Sequence, residues 1–294
     1  MTNQEFSDWW LSYRSNPKIP EQLREMEDYF IDSGLLVYSS NFWNDYNKLN
    51  IIQLTDYGFD NFKQTVTKNY FTWAVTIDHP YANNLKKLVP NLKMLFSTGK
   101  RVSQDIFNSL LEYLSVIYHC PMNEVSTIIE IGAGSGRTAF CFLSLNPDKK
   151  YVIVDFPPAL YVSQTYLLDV FKDLKVMSFR PFESFDEIAD EYSKANIVFL
   201  TPDQLGKIPD HIGDLFLAID CLHEMKAARV AHYFDEAERL CSYIYYKCWK
   251  DTYVASDNVR HSEDSYPVHP HWKLIFKQPC VIPADFFHAF YKMN

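Results

Sequence analysis

From residue 127 to about 250 the chain alternates short apolar runs with stretches of helical periodicity. Thr127 to Ile131, Tyr151 to Val154, Asn196 to Leu200 and Leu215 to Ile219 are nearly unbroken apolar segments of strand length. Parallel strands covered on both faces carry that pattern. Between them, Leu160, Gln164, Leu167, Leu168 and Phe171 keep one helical register, as do Val230, Phe234, Ala237 and Leu240. A further helix is predicted upstream, where Val102, Ile106, Leu110, Leu114 and Ile117 recur at helical spacing and Ser103 and Asp105 supply start chemistry. Strand and helix in alternation imply an α/β fold: a doubly wound, Rossmann-like three-layer sandwich around a parallel sheet. Trp272 to Met293 reads as two strands joined near Pro283, a closing antiparallel pair.

The first 97 residues differ. They are dense in Trp and Tyr, broken by Pro17, Pro20, Pro80 and Pro90, and carry no glycine-rich loop. Glu21 to Phe30 places Leu23, Met26, Tyr29 and Phe30 on one helical face. The expected division is a helical N-terminal cap or acceptor lid over 1–97 and the sheet domain over 98–294. Rings such as Trp9, Trp10, Trp43, Tyr70 and Trp73 would serve core packing or an acceptor surface.

Composition narrows the function classes. A formal charge of -9 over 294 residues, with no basic stripe, argues against a nucleic-acid partner. The six cysteines lack CxxC spacing, so neither a zinc knuckle nor a disulfide framework is expected. Nowhere do eighteen apolar residues run together, and the N-terminus has no signal-like segment, so the expectation is a cytoplasmic protein without a membrane partner. Oligomeric state stays open.

The chemistry begins at Ile128-Ile-Glu-Ile-Gly-Ala-Gly-Ser-Gly-Arg-Thr138, where an apolar strand runs into three glycines and then a helix-compatible segment. Glycine permits a tight turn and close approach of a ligand to bare backbone, and the helix start presents free N–H groups. Nineteen residues beyond Gly136, at the end of the next strand, Asp155 can accept hydrogen bonds from both ribose hydroxyls of an adenosine. The third position of a dinucleotide fingerprint is Arg137 rather than Gly or Ala, which disfavours a nicotinamide cofactor. Glu130 would suit the ammonium of a methionine moiety, and an acidic site suits a sulfonium. S-adenosyl-L-methionine is the expected cofactor, held by Glu130, Gly132, Ala133, Gly134, Gly136, Asp155, Phe156 and Asp220. Asp203 or Gln204, in Thr201-Pro-Asp-Gln204, would read the adenine amino group or simply form a turn.

Taken together, Ile129 to Arg137, Tyr151-Val-Ile-Val-Asp-Phe-Pro157 with Ser163-Gln-Thr-Tyr-Leu167, and Asp220-Cys-Leu-His-Glu-Met225 resemble a bacterial family of sugar O-methyltransferases over residues 97 to 250. The resemblance implies a class I methyltransferase fold, S-adenosylmethionine, and a small-molecule acceptor that is a sugar or glycoconjugate. A non-sugar acceptor (phenol, carboxylate or amine) and a non-catalytic cofactor-binding subunit are the alternatives. His223 departs from the residue many relatives carry, so the resemblance assigns it no role.

A sugar hydroxyl is barely ionised near neutrality, so a positioned base is expected. His223, after the fourth apolar run and at the carboxyl end of the sheet, is the first candidate. Glu224 would orient it or act as the base itself, while a capping role for both is the bland reading. His269-Pro-His271 could share a metal, but no third ligand stands at recognisable spacing, so no metal is assigned. His79 and Thr98-Gly-Lys-Arg101 are further acceptor-side candidates.

Overall fold

A computed structural model describes residues 21–32, 104–120, 122–255, 257–280 and 283–293. Among them the order is α1 (Glu21–Asp32), α2 (Gln104–Ile117), β1 (Thr127–Ile131), α3 (Arg137–Leu145), β2 (Lys150–Val154), α4 (Pro157–Val170) and β3 (Val176–Met177). There follow α5 (Ala189–Lys194), β4 (Ile197–Leu200), α6 (Pro202–Leu205), β5 (Leu215–Ile219), α7 (Ala227–Leu240), β6 (Tyr243–Trp249), β7 (Asp251–Val254), β8 (Val259–Ser262), β9 (Lys273–Pro279) and β10 (Phe286–Lys292).

Eight strands form one sheet in the order β3-β4-β2-β1-β5-β6-β10-β9. The first six are parallel, and β10 and β9 close the edge antiparallel. All five residues of β1 and of β5 are buried, because helices cover both faces. Successive side chains of a strand point to opposite faces. Ile129 and Ile131 therefore enter the core under α5, α6 and α7, while Ile128 enters the core under α1 to α4. Glu130 lies on the α1–α4 side with Ile128, and β1 is flanked by β2 on one side and β5 on the other, where the strand order reverses. Open α/β sheets bind ligands at such a switch point, beyond the carboxyl ends of the strands.

The helix predicted at Glu21 forms and packs on α4, with Leu23 and Met26 buried and the Tyr29 hydroxyl donating to the Phe182 carbonyl at 2.8 Å. The other cap residues, His79 and Thr98-Gly-Lys-Arg101 lie outside the described residues.

Several expectations need correction. Leu168 is 40% exposed, one position round α4 from the buried Leu167. Val259–Ser262 also pairs with Asp251–Val254 in a two-stranded ribbon that the sequence reading does not include, with Asn258 at a left-handed φ of 52°. Strands β3 and β6 were not read from sequence, β3 because two residues carry no period. In β6 the buried Lys247 interrupts an aromatic run, and its partner comes from a distant helix.

That partner is Glu112 of α2. Lys247 Nζ donates to Glu112 Oε1 at 2.8 Å, and Arg137 Nη1 donates to Glu112 Oε2 at 2.8 Å and to Ser109 Oγ at 2.8 Å. Burial pushes the Glu112 carboxyl up, but the two cations outweigh it and hold it at about 2. The network ties α2, the start of α3 and β6 together behind the glycine loop.

Candidate functional site

Beyond the ends of β1, β2 and β5 lies an open cleft, whose space with its mouth included is about 920 Å³. The glycine loop forms one wall. Gly132, Gly134 and Gly136 have φ of +64°, +57° and +78°, a region that L residues rarely adopt. A Cβ on Gly132 would stand 2.5 Å from Cys221 Cβ, so β1 and the segment after β5 can approach only through a bare backbone. A Cβ on Gly134 would meet nothing within 4 Å, since that residue faces open space. No side chain caps the N-terminus of α3, whose first-turn N–H groups lack intrahelical partners.

Asp155, at the end of β2, is 8% exposed and lines the cleft. Its Oδ2 accepts from Gly134 N at 2.7 Å and its Oδ1 from Phe156 N at 2.7 Å. Each oxygen keeps lone pairs for a ligand, so the loop amide aims the carboxylate without exhausting it. Burial pushes its pKa up to about 7 against those two bonds. Glu130 is likewise buried on the wall, accepts from Tyr151 Oη at 2.9 Å, and is raised by burial to about 7 against the pull of Tyr151 and Arg137. Ala133, Phe156, Asp220 and Glu224 also line the cleft.

Asp220 follows β5 with a φ of 60°, a left-handed conformation that Asp tolerates better than most residues. Its N–H donates to the Lys247 carbonyl at 2.8 Å, anchoring the turn to β6. Next come Leu222, His223 and Glu224 in one turn of 3-10 helix. His223 is 4% exposed and packs edge-on against Trp249 and Phe286. Its Nε2 stands 3.6 Å from Asp220 Oδ1 and 4.0 Å from Glu224 Oε1. Burial, aided by nearby His261, lowers its pKa to about 3, so the ring is neutral at physiological pH. Glu224 is on the cleft wall; His223 is one layer behind it.

Gln204 and Asp203 are placed away from that wall, where α6 contributes Pro202 instead. Gln204 is fully buried in a capping box: its Oε1 accepts from Thr201 N at 3.0 Å and its Nε2 donates to the Arg180 carbonyl at 2.8 Å. Asp203 faces Thr201, Lys207 and Tyr29. The turn accounts for Gln204, whose amide is engaged at both ends. Sequence reasoning missed Thr138 and Tyr233 as lining residues. Thr138 followed from its place just after the loop, whereas Tyr233 reaches the cleft from the middle of α7 and left no local signal.

No family model matches the chain, and no curated relative matches its sequence. Among solved structures the chain is similar to a SAM-dependent methyltransferase from Aquifex aeolicus, at 14% identity over 57% of this chain and 82% of that one, with a TM-score of 0.38. It is also similar to the magnesium protoporphyrin IX methyltransferase from Synechocystis PCC 6803 with bound SAM, at 9% identity over 64% and 80% of the two chains and a TM-score of 0.43. A mitomycin 7-O-methyltransferase matches at 13% identity over 98% and 72%, with a TM-score of 0.42.

Proposed function

We propose that this chain is an S-adenosylmethionine-dependent methyltransferase acting on a hydroxyl of a small molecule, with a sugar or sugar-bearing compound as the acceptor class. The charge of the cleft carries the reading. A glycine loop of nucleotide-binding shape opens on the carboxylates of Glu130, Asp155, Asp220 and Glu224. Among the described residues, the one guanidinium on the wall, Arg137, is paired with Glu112. Such a wall repels a dinucleotide's pyrophosphate and suits an adenosine that carries an ammonium and a sulfonium. The sugar acceptor rests on the motif resemblance.

The residues present fit that cofactor, which when bound supplies an electrophilic methyl group on sulfur. Asp155, aimed by the Gly134 amide, would accept the ribose hydroxyls, and Glu130 would offset the ammonium. Gly134 leaves room for the ligand against bare backbone. Glu224, which lines the cleft, would take the acceptor's proton. His223 backs it as a neutral ring between Asp220 and Glu224, held by Trp249 and Phe286. No helix among the described residues is long and apolar enough to cross a membrane.

Calorimetry with S-adenosylmethionine tests the cofactor, and no binding would favour an inert scaffold. Transfer of radiolabelled methyl to a panel of sugars, phenols, carboxylates and amines tests the acceptor; label on amines or carboxylates alone would overturn the hydroxyl assignment. Asp155→Ala is expected to weaken cofactor binding by about 10- to 150-fold, the worth of hydrogen bonds to a charged group. Normal affinity in that variant removes the ribose role.

Cofactor affinity is also expected to rise between pH 6 and 8. Glu130 and Asp155 titrate at about 7 in the free protein, and the ligand's donors bind their ionised forms. Each proton released steepens the dependence by up to about tenfold per pH unit below that pKa. Without ligand the linkage runs the other way. Folding raises these pKa values from 4.5 and 3.8, so the free protein loses stability as pH climbs from about 4 to about 7. A pH-independent dissociation constant would count against both residues.

A further inference from the structure

We infer that Glu238, His269 and His271 form a surface site for one divalent transition cation of the zinc type. The third ligand missing from the sequence around His269-Pro-His271 comes from the last turn of α7, thirty-one residues upstream of His269. One ligand atom from each of the three residues lies within 4.8 Å of the others. Bonds of about 2.0–2.2 Å to a shared cation in tetrahedral geometry set ligand atoms about 3.3–3.6 Å apart, the separation that His269 Nδ1 and Glu238 Oε2 already have at 3.3 Å.

The hydrogen-bond logic of His269 points to a ligand. Its Nε2 stands 3.1 Å from Asp235 Oδ1, and its Nδ1 stands 3.3 Å from Glu238 Oε2. A neutral imidazole has one N–H. If Nε2–H donates to Asp235, the Nδ1 lone pair faces a carboxylate lone pair, and a positive centre must lie between them. A divalent cation fills that role. His271 Nε2 is paired with the other oxygen of the same carboxylate, Glu238 Oε1.

The surroundings are those of a mounted metal site. Asp235 behind His269 sets the tautomer, as carboxylates do behind ligating histidines, and Trp272 Nε1–H donates to Glu238 Oε1 at 3.3 Å. The Trp272 indole is buried and stacks within 7° of Phe234 and 13° of His269, which fixes the ring plane. Asp235 and Glu238 bring two carboxylates to the cluster, whose charge a divalent ion offsets. Imidazole nitrogens select zinc, nickel, cobalt or copper over magnesium and calcium. Three protein ligands leave a position for water, consistent with His271 being 58% exposed on its side chain. Such an ion would clip the segment before β9 onto α7.

Titration of chelator-stripped full-length protein with Zn²⁺ alone at pH 7.5, read by calorimetry, tests the site. One equivalent is expected in the wild type and none at that site in His269→Ala/His271→Ala. Because Asp235→Asn leaves all three ligands in place, it should keep the stoichiometry and weaken affinity by about 10- to 100-fold. Zn²⁺ should raise the melting temperature of the wild type and leave the double variant unmoved. The six cysteines are free and buried, and subtracting the double variant removes any contribution from them. Should that variant lose its circular dichroism signature, Glu238→Gln serves in its place. Equal binding by wild type and variants, or no stoichiometric binding by the wild type, overturns the site and leaves a hydrogen-bonded histidine-carboxylate cluster.

Discussion

Glu112→Gln is expected to destabilise the folded chain by about 3–5 kcal/mol, because it takes from the buried Lys247 ammonium the carboxylate it pairs with and weakens the hold on the half-buried Arg137. Against a typical stability of about 5–15 kcal/mol the loss is large. Thermal denaturation should show it as a fall of roughly 5–20 °C. Lys247→Met should cost less, since Glu112 would keep Arg137 and the methionine would fill the space among Phe286 and its neighbours. The pH dependence provides a second check. Glu112 is lowered from 4.5 to about 2, so its contribution is complete above pH 4.5 and disappears as pH falls toward 2. Wild type and Glu112→Gln should therefore converge in acid. A variant that melts with the wild type at neutral pH would show that the buried triad contributes nothing net.

Glu224→Gln is expected to lower turnover by about 10²- to 10⁴-fold while cofactor affinity is retained, the effect of removing a positioned base. The carboxylate is on the cleft wall, and the amide keeps its size but cannot take a proton at neutral pH. His223→Ala discriminates between the two candidates. With a pKa of about 3 in the free protein, His223 is a weak proton acceptor, and the structure sets it behind Glu224. Its loss should change the pH profile of turnover and reduce the rate less than loss of Glu224. If His223→Ala abolishes turnover and Glu224→Gln does not, His223 is the base and Glu224 its positioning partner. Single-turnover methyl transfer at saturating cofactor separates these outcomes from effects on binding.

The locations of these groups were legible to different degrees. Asp155 and the three glycines could be read from one sequence, because a strand end, a turn and the next strand end are local events that leave their residues at set spacings. Glu130 could be placed by the same rule, but its pairing with Tyr151 and its shift by burial required the packing of β2 beside it. His223 and Glu224 looked equivalent along the chain. Only the 3-10 turn after β5, with Trp249 and Phe286 closing over one of them, sorts a wall residue from a buried one. Gln204 shows the reverse: its amide was a candidate ligand reader until the capping box engaged both ends.

By itself the amino-acid order determined the alternation of strand and helix, the parallel sheet, the closing antiparallel pair and the glycine turn, because hydrophobic periodicity and backbone conformation are properties of neighbours in the chain. The tertiary structure alone decided which charges meet. Glu112 found Lys247 across 135 residues, and Glu238 found His269 and His271 across more than thirty. Charge pairing depends on distance through space, and no period in the sequence records which helix face will lie against which strand.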